Sequence, residues 1–99
     1  MADLTIVYWR DIPAQVIVGK GRRGAKVQLP ERFEQAIDRA AMKSGADQTD
    51  DYLAEWRKVP ASTDATGTDM EIAQAEAARL DAEYDHERIK ALIDNDGRA

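Results

Sequence analysis

Up to residue 30 the apolar positions fall in short β-branched and aromatic runs; beyond it they recur at helical spacing. "LTIVYW", residues 4–9, reads as a strand. "RDIP" interrupts it, because Pro13 lacks an N–H and forces the residue before it into extended geometry. "AQVIVG" resumes the strand pattern, and two strands this close in sequence pair most simply as an antiparallel hairpin. "AKVQL", with Val27 and Leu29 on one face, opens the option of a third strand.

Pro30 suits a first helical position and Glu31 the positive end of a helix. Phe33, Ala36, Ile37, Ala40 and Ala41 then follow at i, i+3, i+4, i+7 and i+8, which makes one apolar face. Lys43 and Gly45 close that helix. Thr49 is placed to cap a short helix through "DDYLAEWRK", with Tyr52, Leu53 and Trp56 on one side and Pro60 as its stop. "ASTDATG" reads as a polar linker. Thr68 and Glu71 form a capping box that opens one long helix to residue 95. Its seam (Met70, Ala73, Ala77, Leu80, Tyr84) breaks at Glu87 and shifts to Ile89, Leu92 and Ile93. Two alanines in that seam bury little apolar area, so the helix either docks or stands off as an arm. The expectation is an α+β fold: a small antiparallel sheet of two or three strands packed by one amphipathic helix, then a short helix and a long C-terminal helix. By residue, 1–60 form the α+β domain, 61–67 the linker and 68–95 the final helix.

Ninety-nine residues at 43% hydrophobic and 33% charged supply one core. No apolar run is long enough for a membrane span, and no cation precedes the apolar start as in a secretory signal. The absence of cysteine excludes disulfides, thiolate nucleophiles and zinc–thiolate sites. A cytoplasmic protein is the expectation. The net charge of −5 is uneven: +3 over residues 1–30, −2 over 31–60 and −6 over 61–99. The acidic remainder repels a polyanion and weighs against nucleic acid as a partner.

Chemistry is sparse. "GKGRRGAK" (19–26) gathers Lys20, Arg22, Arg23 and Lys26 among glycines, the composition of an anion nest or of a basic patch facing a partner. It is not a Walker loop. Gly19, Gly21 and Gly24 do spell G-x-G-x-x-G, but a strand-like segment comes next where the nucleotide fingerprint needs a helix. At the "WRDIP" corner, Trp9 is either core or an exposed aromatic anchor beside Arg10 and Asp11. His86, the single histidine, has one carboxylate (Glu83) among its i±3 and i±4 neighbours and reads as a solvated side chain, not a ligand or base. The acidic pairs Asp50–Asp51, Asp81–Asp85 and Glu83–Glu87 lie on exposed helix faces, and neither serine sits in a nucleophile elbow. No catalytic residue, metal site or cofactor is expected.

"YWRDIPAQVIV…KVQLPERFEQAIDRAAM" resembles the bacterial "virulence factor" family of small proteins over residues 7–57, and a similar domain forms part of the larger conserved virulence factor C proteins. The resemblance implies no catalytic residue. It implies an accessory or subunit role beside one-carbon or methyl-transfer enzymes. The expected function is therefore a non-catalytic cytosolic accessory or interaction module that meets another protein through Trp9, Arg10, Asp11, Lys20, Arg22, Arg23 and Lys26. The alternative is a small-anion or nucleic-acid binder using loop 19–26.

Overall fold

The computed structural model describes residues 4–19, 24–45, 48–61 and 66–99. The hairpin forms as the pattern requires: β1 (Leu4–Trp9) pairs antiparallel with β2 (Ile12–Val18), Leu4 opposite Val18 and Trp9 opposite Ile12. Arg10 and Asp11 make the two-residue turn, with Arg10 in the left-handed region at φ 53°. Val7 faces Gln15 while Tyr8 faces Pro13, so Ala14 is the extra residue of a β-bulge. The Ala14 carbonyl accepts the Leu29 N–H at 3.0 Å. That bond extends the pairing of β2 with β3 (Ala25–Gln28), the third strand the sequence left open.

A fourth strand replaces part of the expected short helix. Helix α2 (Thr49–Ala54) stops at Glu55, and Trp56–Ala61 forms β4, antiparallel to β1 along its whole length. The sheet order is β3-β2-β1-β4. Leu53, expected beside Tyr52 and Trp56, is 60% exposed. Pro60 does not end a helix; it sits opposite Thr5 on the edge strand, where a missing N–H is tolerated. Gln48, not Thr49, occupies the cap of α2. Pro30 likewise stands just outside α1 (Glu31–Ser44), whose predicted stripe Phe33, Ala36, Ile37, Ala40 and Ala41 is buried throughout. Gly45 ends α1 at φ 76°.

The expected long helix is two. α3 (Asp69–Glu83) opens on the Thr68–Glu71 capping box and ends at Tyr84; α4 (His86–Asp94) starts afresh, with the Asp85 carboxylate accepting the Arg88 N–H at 2.9 Å. The break lies where the apolar seam changes face. Tyr84, the last residue before it, makes an edge-on contact with Phe33, 6.3 Å between ring centres. Both helices dock. α3 lies on β2 and β3, α4 lies on α1, and Ile72, Ala73, Leu80, Ile89 and Leu92 share one core with Leu4, Ile6, Val16, Val18 and Phe33. Alanines at 73 and 77 allow α3 a close approach that larger side chains would block, so a thin stripe still buries well.

Candidate functional site

The turn at Trp9–Pro13 is an internal knot. Trp9 is 0% exposed, its indole N–H donates to the Tyr52 carbonyl at 2.9 Å, and the two rings lie 5.8 Å apart. The expectation of an exposed aromatic anchor is thereby corrected: an indole with no accessible surface contacts nothing outside. The Arg10 side chain is 10% exposed, stacks over Trp9 at 4.8 Å and donates to the Asp96 carbonyl at 2.7 Å. Its other terminal nitrogen lies 3.5 Å from Glu55, while Nε is buried without a partner. Asp11 accepts Arg57 on one oxygen and the Ala99 N–H on the other, both at 2.7 Å, and its own N–H donates to the Gly97 carbonyl. Arg10 and Asp11 therefore spend their charges inside the molecule. Gly97 is required at this seam: it has φ 86°, and a Cβ there would lie 3.0 Å from the Trp9 ring.

Of the basic loop, Lys20, Arg22 and Arg23 lie outside the described residues; Lys26 is on β3 and exposed. The base of the loop is pinched, since a Cβ on Gly24 would come within 2.9 Å of the Val18 carbonyl and 3.3 Å of Gly19. Asp69, in the first turn of α3, holds a carboxylate oxygen 2.7 Å from where a Gly19 Cβ would sit. Gly24 leads directly into β3, so the glycine spacing lacks the helix N-terminus that would hold a pyrophosphate.

Lys26 belongs to a larger surface. Strand alternation sends Leu4, Ile6, Val16 and Val18 into the core and their neighbours to the other face of the sheet. Two cross-strand rows form there: Lys26–Ile17–Thr5–Pro60 and Gln28–Gln15–Val7–Lys58. Their central residues are half-buried and their ends exposed. The result is a small mixed centre (Ile17 and Val7 beside Thr5 and Gln15) with a lysine at each of two diagonal corners and no carboxylate in either row, on a protein of net charge −5.

Glu76 is 5% exposed on α3 and pairs with Arg79, which also pairs with Glu83. The hydrogen bond it donates to Glu76 holds the Arg79 guanidinium above its ordinary pKa against the opposing effect of burial. Tyr8, beside Tyr84, has a phenol raised above the usual range, first by burial and then by Tyr84. Arg57 and Arg88 stack over Tyr8 and Tyr84 at 5.2 and 3.9 Å, and a cavity of about 220 Å³ opens between these side chains. His86 is exposed, as expected, and lines a larger groove of about 520 Å³ between α1 and α4. Sequence reasoning passed over that groove. Its signal was present, because Arg32, Arg39 and Lys43 follow helical spacing beside the apolar stripe of α1.

Four antiparallel strands with helices packed against them, and a lysine at each of two corners of the Thr5–Val7 face, define a small α+β module. The chain belongs to the Virulence factor family, whose model matches residues 7–93. The match runs beyond residues 7–57, where the resemblance was legible, through α3 and into α4. No curated protein and no solved structure matches the chain. No helix among the described residues is long and apolar enough to cross a membrane.

Proposed function

We propose that this chain is a non-catalytic, cytosolic accessory module that binds another protein through the face of its sheet that carries Lys26 and Lys58. The observation that carries the reading is the pair of rows ending in Lys26 and Lys58, with Ile17, Thr5, Gln15 and Val7 between them. A half-buried centre of two apolar and two polar residues with cations at its corners suits a partner surface edged by carboxylates, and the charge pattern steers encounter and fixes register. The basic residues Lys20, Arg22 and Arg23 adjoin this face in sequence, between β2 and β3. The family resemblance supports a one-carbon or methyl-transfer enzyme as the host complex. The test is co-purification from the native host with wild-type, Lys26→Glu and Lys58→Glu chains. One defined protein held by the wild type and released by either substitution, with folding intact, is the expected result. Retention of that protein by both variants, or turnover by the purified chain alone, would overturn the reading.

The second reading, a small-anion or nucleic-acid binder through residues 19–26, rests on the cations of that loop. The Asp69 carboxylate against Gly19 opposes it, as does the negative charge of the molecule as a whole. It requires affinity that falls steeply with salt, because each phosphate neutralised releases counterions.

A further inference from the structure

The groove between α1 and α4 is separate from the sheet face and differs from it in chemistry. Ala36 and Ile89, both buried, and half-buried Ile93 form its apolar floor, while Arg32 and Arg39 from α1 meet His86 and Lys90 from α4 along its walls. Two of its charged groups are already matched. Arg32 is held by Asp81, and the one lining carboxylate, Asp94, lies 3.9 Å from Lys43, which also donates to its carbonyl at 2.7 Å. Arg39 and Lys90 form no ion pair among the described residues. Cations gathered in one groove on an acidic protein repel each other, and an anion between them relieves that repulsion. The volume of about 520 Å³ lies within the range of about 300–1,000 Å³ for small-molecule sites.

We propose that this groove binds a small organic phosphate monoester. Its dianionic head sits between Arg39 and Lys90, with a ring nitrogen of His86 as a further donor, and its apolar body lies on Ala36, Ile89 and Ile93. Two unmatched cations fit a dianion better than a monocarboxylate, and guanidinium hydrogen bonds to phosphate are charge-assisted. The floor selects for a substituent, because inorganic phosphate leaves it in water.

The test is an amide NMR titration of the full chain with hexyl phosphate, hexanoate and inorganic phosphate. Hexyl phosphate is expected to bind most tightly of the three and to shift amides of Gln35, Ala36, Arg39, Ile89 and Lys90. Arg39→Gln and Lys90→Gln are each expected to weaken it roughly ten-fold or more. Both positions are exposed, and amides remote from the groove report whether each variant keeps its fold. Equal affinity for inorganic phosphate or hexanoate, affinity indifferent to both substitutions, or no shift at groove amides would each overturn the proposal. None of these results bears on the sheet face, which Lys26→Glu and Lys58→Glu test separately.

Discussion

Arg32, in the first turn of α1, forks onto Asp81 near the end of α3. Nη2 lies 2.7 Å from the carboxylate and 2.7 Å from the Asp81 carbonyl, and it also reaches the Tyr84 carbonyl at 2.7 Å. One guanidinium thus satisfies carbonyls left without helical partners where α3 ends, and the Phe33 ring supports it at 4.3 Å. This contact pins the α3–α4 break against α1. Arg32→Lys keeps the charge but loses the planar fork, so a cost of about 1–2 kcal/mol is expected, since the pair is partly solvated. Urea denaturation measures it. Faster amide exchange confined to residues 82–89 is the accompanying sign.

Glu76 is buried on the inner side of α3, with half-exposed Arg79 as its ion-pair partner. Arg79→Ala strands a buried carboxylate and should cost about 1–3 kcal/mol. Glu76→Leu combined with Arg79→Ala should recover much of that loss, because the carboxylate that would be left buried and unpaired is removed along with its half-exposed partner. A double-mutant cycle in urea separates the coupling from the single losses.

Trp9 is a core residue, so its substitution reads out stability. Trp9→Phe removes the donor to the Tyr52 carbonyl and part of the ring contact with Gly97, at an expected cost of about 1–3 kcal/mol. Gly97→Ala places a methyl against the same ring at positive φ and should destabilise by about 1 kcal/mol or more. Thermal melts of the two variants would show both losses. An unchanged Gly97→Ala would mean that the 96–99 segment does not close on the hairpin.

Tyr8 predicts an alkaline limit. Its pKa is raised in the fold, chiefly by burial, so the folded state holds its proton more tightly than the unfolded chain. That contribution is complete below the unfolded value of about 10 and is lost as pH rises through the folded value above it. Tyr52, also raised, first by burial and then by Asp38 and Glu34, acts in the same direction. Stability plotted against pH should fall above about 10, less steeply in Tyr8→Phe. Phenolate absorbance and unfolding followed together check this.

The hairpin strands, the α1 stripe, the glycine stop after it and the Thr68–Glu71 cap were legible in the residues, because each is signalled by a pattern within about four positions, and the third strand was legible as an option. The break after Tyr84 was half-legible. The seam visibly changed face at Glu87, but a change of face fits a curved helix as well as two helices, and only the non-helical backbone at Tyr84 and the fresh cap at Asp85 decide. The basic loop was plain in composition, whereas the sheet face that includes Lys26 and the α1–α4 groove needed strands and helices in place.

By itself the sequence determined the local elements and the absence of cysteine chemistry, since backbone preference and apolar period act over short range. Tertiary structure alone decided that Trp56–Ala61 is a strand, that Trp9 lies inside, and that Arg10 and Asp11 turn to Glu55, Arg57 and the 96–99 segment. The physical reason is common to all three. The unpaired edge of β1 offered residues 56–61 hydrogen bonds that a one-turn extension of α2 could not match. The same pairing brought distant charges to the hairpin turn, where no spacing along the chain records them.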